Sequence, residues 1–401
     1  MRSQFTKLIA ANAISRFGDS IDMIAFSWLT YTITNSASWA AVIVGVNQLI
    51  SVLFQPVIGS IVETMNKKKV MVYADFLRFL TVLFFFVSYR IGIANPIILI
   101  CFTAIISFIE TFRIPAGVTV IPSLLKEDEY NRGVSIHNSI SKCCELLGLL
   151  SAASIIALIG ADGAVMLDGA AFLSSAVLLS TITYAVPANA GRGKCNHYFQ
   201  MTVEGAKFLC KQKTLLLICI ICGLINAGII PFDSLQSAYI NLYFAERVQV
   251  LTAISIAISV GMLLGSVIYQ FLPGNITNAS ILGIGGILLG VFYITAFSVT
   301  TLTAALLTKV CIMVGISFVL GMALAFMNNY VQIYFIKEVN KEFLSRISSI
   351  STTITTALSP ITAFAVSVLA TIFETTVIFI IWGIIVTFTF ISLSYCLKKN
   401  H

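Results

Sequence analysis

Apolar residues run through this chain in long blocks, broken by short clusters of turn residues and charges. Dividing it at those clusters gives twelve predicted spans, at 8–33, 38–62, 69–91, 96–123, 134–159, 163–186, 214–240, 249–272, 278–298, 302–334, 346–370 and 375–397. At 1.5 Å of rise per residue, a helix of that length crosses the ~30 Å hydrocarbon core of a bilayer. The apolar positions do not alternate with polar ones, so the spans are helices and not strands of a barrel. The first block contains charges and lacks a small-residue cleavage site after a short apolar core, which predicts a retained helix and not a signal peptide.

Composition agrees with the pattern. Of 401 residues, 58% are hydrophobic and 10% charged, against about 25% charged in soluble domains. The net charge of +7 suggests nucleic acid until the basic residues are placed. If both termini are cytoplasmic, every Lys and Arg between spans falls on the cytoplasmic side except Arg90 and Arg247. That asymmetry predicts a multi-pass protein of the inner (cytoplasmic) membrane, with no nucleic-acid partner.

The longest connection, from Pro187 to Lys213, carries Arg192, Lys194, Lys207, Lys211 and Lys213. It divides the chain into an N-terminal six-helix bundle (1–187), a cytoplasmic linker (188–213) and a C-terminal six-helix bundle (214–401). The halves echo each other. Gly59-Ser60-Ile61-Val62-Glu63 closes the second span as Gly265-Ser266-Val267-Ile268-Tyr269 closes the eighth, and Lys126-Glu127 with Arg132 precedes the fifth as Lys337-Glu338 with Arg346 precedes the eleventh. Parallel six-helix repeats are the plan of one large transporter class.

Charges inside the spans carry the candidate chemistry. Arg16/Asp19, Asp19/Asp22, Asp75/Arg78, Glu110/Arg113 and Lys142/Glu145 are each three residues apart and share a helix face. Asp19 lies ~17 Å along the first span and Glu110 ~21 Å along the fourth. At such depth, ionisable groups facing lipid cost several kcal/mol each. Arg16, Asp19, Asp22, Glu110 and Arg113 therefore face a cavity or form a buried structural network. Pairing of Arg16 with Asp19 leaves Asp22 without a local cation, which makes it the first candidate for a proton-coupling carboxylate, with Glu110 the alternative. Lys142, Glu145, Asp233 and Lys309 are secondary candidates, and Asp233, just after Pro231, also reads as a cap at a helix break. Asn226, Asn328, Asn329 and Gln332 offer neutral hydrogen bonds, to a ligand or across helices. Gly261-xxx-Gly265 and Gly286-xxx-Gly290 permit close helix packing. Cys219 and Cys222 have CxxC spacing inside an apolar helix and read as small buried hydrophobes. With no phosphate-cradling loop, metal-spaced cluster or nucleophile–base pair, neither an enzyme nor a cofactor is expected.

Several motifs have a family resemblance. Ser15-x-x-Gly18-Asp19, Ala25-x-x-Trp28-Leu29-x-Tyr31 and Thr34-Asn35-Ser36-Ala37 lie in and just after the first span. Phe112-x-x-Pro115-Ala116, Ile121-Pro122-Ser123-Leu124-Leu125, Arg346 and Pro360 follow later. With these the chain resembles the major facilitator superfamily, and within it the bacterial branch of macrolide-efflux and enterobactin-exporter proteins. The family's loop after the second helix reads Gly-x-x-x-Asp-Arg before basic residues; here Gly59 is followed by Glu63 and Thr64, then Lys67, Lys68 and Lys69. The fifth helix has Gly148-Leu149 where antiporters of the family often have Gly-Pro.

The resemblance implies an all-α membrane fold of twelve transmembrane helices in two six-helix bundles, working as a secondary active transporter by alternating access. Helices one and four would line its central cavity. Gly59, Glu63, Lys67 and Lys68, with Asp75 and Arg78, would form a latch at the cytoplasmic face. The expected activity is proton-coupled efflux of an amphipathic organic compound, a drug or siderophore, by a monomer whose partners are substrate, protons and lipid. The alternatives are an importer or facilitator of a polar metabolite, and a non-cycling lipid-handling or sensory membrane protein.

Overall fold

Long apolar segments in a bilayer must satisfy their backbone groups internally, and among the described residues the chain is helical throughout. The structure, a computed structural model, describes residues 2–124, 130–183, 213–245, 247–269, 278–338 and 344–399. The elements are α1 (Arg2–Thr34), α2 (Ala37–Thr64), α3 (Lys67–Arg90), α4 (Pro96–Ser123), α5 (Tyr130–Ser180), α6 (Lys213–Tyr243), α7 (Val248–Tyr269), α8 (Asn278–Thr301), α9 (Leu306–Glu338), α10 (Leu344–Leu369) and α11 (Thr375–Lys399). Nine of these contain a stretch long and apolar enough to cross a membrane. The predicted fifth and sixth spans both fall in α5, which breaks at Gly160 with φ 80° and ψ 166°. A glycine reaches that backbone conformation without a steric penalty.

The chain forms two compact units, residues 1–34 with 46–204, and residues 35–45 with 205–401. In the first unit α1 packs against both arms of α5, and α3 packs against α4 and α5. The approach of α1 to α5 is close on two sides. A Cβ at Gly148 would lie 2.7 Å from the Phe17 carbonyl oxygen, and one at Gly18 would lie 2.8 Å from the Ala171 Cβ.

Two apolar layers bracket the polar residues of this unit. One contains Leu8, Ala11, Ile58, Val70, Met71, Ala116 and Val120. The other is an aromatic trio of Phe26, Phe85 and Phe102, with ring centroids 4.7–5.8 Å apart. Arg16, Asp19 and Asp22 on α1, Asp75 and Arg78 on α3, and Glu110 and Arg113 on α4 fall in sequence between these two layers.

In the second unit glycines again set helix distance. Gly261 and Gly265 of α7 meet Phe318, Met322 and Ala325 of α9, while Gly286 and Gly290 of α8 meet Phe390 and Thr387 of α11. This is the close packing expected of small-xxx-small spacing. Pro231 sits inside α6. The broken ladder there is stitched by a side chain: Tyr293 Oη donates to the Gly228 carbonyl at 2.8 Å and accepts from the Phe232 N–H at 3.3 Å. Trp382 Nε1 also donates to the Gly228 carbonyl, at 3.2 Å. Tyr293→Phe leaves the buried Phe232 N–H without its acceptor, so the unit is expected to lose about 1–3 kcal/mol. Thermal unfolding in detergent checks this, and an unchanged midpoint would show that the hydroxyl does not hold the break.

Candidate functional site: a charged cavity in the N-terminal unit

Four helices of the first unit turn polar faces towards one another. Asn12, Ser15, Arg16 and Asp19 lie on α1, Arg78 on α3, Glu110, Arg113 and Gly117 on α4, and His137, Ser141, Lys142 and Glu145 on α5. On each of α1, α4 and α5 these positions recur every three or four residues, which puts them on one helix face. Together with Ile114 they enclose a cavity of about 370 Å³.

The ion pairs cross between helices. Arg16 Nη2 donates to Glu145 Oε2 at 3.0 Å, and Lys142 Nζ donates to Glu145 Oε1. Arg78 Nη2 donates to Asp19 Oδ1 at 2.8 Å, and its guanidinium lies 3.7 Å from the centroid of the Phe172 ring. Arg113 spans two partners, with Nε 2.9 Å from Asp75 Oδ1 and Nη2 2.7 Å from Asn12 Oδ1. Ser175 Oγ donates to the other oxygen of Asp75 at 2.7 Å.

These bonds correct the pairings expected from spacing. Arg16 takes Glu145, not Asp19; Asp19 takes Arg78; and Asp75 takes Arg113, not Arg78. Arg113 makes no ion pair with Glu110, which has no hydrogen-bond partner among the described residues. Only Lys142/Glu145 pairs within its own helix. A cross-helix pair turns both charges inward, whereas an i,i+3 pair leaves them side by side on one helix surface.

The residues expected to form a latch differ in their surroundings. Asp75 and Arg78 are buried members of the network just described, at 0% and 6% exposure. Lys68 Nζ donates to the Ser180 carbonyl at 2.7 Å, and Lys67 opens α3. Among the described residues, no neighbouring element lies within 4 Å of a Cβ at Gly59, and the Glu63 side chain lies outside the described residues. Asp233 stands in α6 of the second unit, with Gln236 Nε2 donating to its backbone carbonyl at 3.3 Å. Asn226 Nδ2 donates to the Thr355 carbonyl at 3.2 Å, the cross-helix use of a neutral polar group.

Asp168 belongs to no charge pair at helical spacing, because no charged residue lies three or four positions from it. It is 2% exposed and packs over Gly18, one turn before Asp22 on α1. Oδ1 of Asp22 and Oδ1 of Asp168 are both buried with no hydrogen-bond partner. Asp168 is within electrostatic reach of Asp22, Asp19, Asp75 and Arg78. Chemically, the cavity offers guanidinium and ammonium donors for an acidic group, an unbonded Glu110 carboxylate for a basic one, and two unbonded carboxylates next to Asp19.

An all-helical fold with buried charge held between apolar layers is that of a multi-pass membrane protein. Residues 8–354 match the Major Facilitator Superfamily, and the chain belongs to that family. It is therefore a transporter and not an enzyme. A relative from Bacillus subtilis (strain 168), described as an uncharacterized MFS-type transporter YkuC, is 23% identical over 279 residues. That match covers 66% of this chain and 63% of the relative's length. Among solved structures, the D323A mutant of the nucleoside transporter NupG aligns with a TM-score of 0.79 at 12% identity, covering 97% of this chain and 99% of that one. A bacterial homologue of the iron transporter ferroportin in its inward-facing state aligns at 0.73 and 16% identity, covering 98% and 99%. A bacterial homologue of the human lysosomal transporter Spinster aligns at 0.71 and 12% identity, covering 100% and 98%. At these identities the likeness is one of fold.

Proposed function

We propose that this protein is a proton-coupled secondary transporter that exports an amphipathic organic compound by alternating access. The single observation behind the reading is the 370 Å³ cavity, whose wall carries Arg16, Arg78, Arg113 and Lys142 alongside Glu110. Charge-assisted hydrogen bonds from such donors favour a cargo with an acidic group, and Glu110 suits a cargo that also carries an amine. The motifs of the first and fourth spans resemble those of the macrolide-efflux and enterobactin-exporter branch, which supports an exporter. Protons enter and leave through Asp22, whose free oxygen is adjacent to the Asp19–Arg78 pair. The protein works as a monomer in the inner membrane with both termini cytoplasmic.

The charged wall equally fits a polar metabolite moving inward by the same route, so direction has to be measured. Everted membrane vesicles, loaded by a respiratory proton gradient, are expected to accumulate amphipathic acids and zwitterions from a labelled panel and to lose them on adding a protonophore. Glu110→Gln is expected to lower kcat/KM about tenfold for cargo bearing an amine, the effect of removing one charged hydrogen-bond partner worth ~1.5–3 kcal/mol. Gradient-driven accumulation in right-side-out vesicles instead would establish import. Transport indifferent to the protonophore would remove the proton from the scheme.

A further inference from the structure

A second cavity, of about 520 Å³, lies between α3 and α4 of the N-terminal unit and has a different character. Lys69, Tyr73 and Leu77 line it from α3 at four-residue intervals, and Phe108 and Phe112 line it from α4. Tyr73 and Leu77 are 63% and 48% exposed, whereas Val70 and Ala74, which also line the groove, are buried. The groove thus has an apolar floor and open walls. From Lys69 to Leu77 it extends ~12 Å along the helix, enough for much of one acyl chain.

Charge is confined to one end. There α3 begins, and the Asn66 side chain caps it by accepting from the Lys69 N–H at 3.2 Å. The first-turn N–H groups and the helix dipole make this end positive. Lys68 is engaged by the Ser180 carbonyl, while the Lys69 amine is exposed and has no partner among the described residues. Among the described residues, no acidic side chain lines the groove.

We propose that this groove is a binding site for a phospholipid with an anionic headgroup. The headgroup phosphate meets the Lys69 ammonium at the start of α3, and one acyl chain lies between Tyr73 and Leu77 on one side and Phe108 and Phe112 on the other. Basic residues beside an apolar trough recognise lipid by both parts at once, and one lysine near a membrane surface raises the affinity for anionic lipid about fivefold. The site shares no lining residue with the charged cavity and does not depend on the cargo.

The full-length protein, stripped of lipid in detergent, is titrated with phosphatidylglycerol or phosphatidylcholine and its bound lipids are counted by native mass spectrometry. Wild type is expected to retain phosphatidylglycerol at least about fivefold better, and Lys69→Gln to abolish the preference while leaving phosphatidylcholine binding unchanged. Ala74→Phe, which fills the floor, is expected to reduce retention of both lipids. Lys69 is exposed, so its substitution leaves the fold intact and decides the matter even if Ala74→Phe unfolds. Equal retention of the two lipids by wild type, or an undiminished preference in Lys69→Gln, would overturn the proposal. Displacement by glycerol phosphate as effective as by the lipid would also overturn it, because a free anion and not a lipid would then occupy the site.

Discussion

Arg78→Met is expected to destabilise the N-terminal unit by about 3–5 kcal/mol, the usual cost of leaving one member of a buried ion pair behind. Arg78 is 6% exposed, bonds Asp19 at 2.8 Å and lies over the Phe172 ring. Glu110, Asp75 and Asp168 are also within its electrostatic reach, so four carboxylates lose their shared cation at once. Methionine fills part of the volume and keeps contact with the ring but supplies no charge. Arg78→Lys restores the charge without the planar stack or the fork that holds a carboxylate, and should fall between wild type and Met. The double variant Asp19→Asn/Arg78→Met removes both partners and should recover part of the loss. Thermal unfolding in detergent, read with the yield of folded protein, checks all three. A midpoint unchanged in Arg78→Met would mean that the carboxylates are held by other groups.

The architecture is legible in the sequence because the bilayer imposes a single length scale on every span. The charged depth of α1 and α4 is legible in part: Arg16, Asp19, Glu110 and Arg113 line the cavity, whereas Asp22, read with them, does not. Which charge meets which is not legible. Periodicity assigns a residue to a helix face, but the neighbour across that face comes from tertiary packing, as with Asp19 and Arg78 on different helices. Asp75 and Arg78 share a helix face in sequence, yet each takes its partner from another helix, Arg113 and Asp19 respectively. Asp168 carried a signal, a lone acid in an apolar run, that a search restricted to spaced pairs passes over. The break within α5 is legible as well: the turn read between the spans 134–159 and 163–186 falls at Gly160, where the helix is interrupted.

Asp22→Asn is expected to uncouple the transporter without stopping it. Asp19 is occupied by Arg78, Asp75 by Arg113, and Glu145 by both Arg16 and Lys142. Among the acids of this network, that leaves Asp22, Asp168 and Glu110 without hydrogen bonds from a cation. Glu110 lines the cavity proposed to take the cargo. Asp22 and Asp168 each keep a buried, unbonded oxygen, a group with a place for a proton and no partner to give up on binding it. Asparagine preserves the size of Asp22 but cannot exchange a proton. One proton moving down a one-unit pH gradient releases ~1.4 kcal/mol, enough to concentrate a neutral-exchange cargo about tenfold. The variant in proteoliposomes should show cargo–cargo exchange near the wild-type rate and an accumulation ratio near one. Asp168→Asn should give the same pattern if both carboxylates serve one proton site. Persistence of uphill accumulation in Asp22→Asn, still abolished by a protonophore, would move the proton elsewhere, with Glu110, then Glu145, then Asp233 next to be replaced.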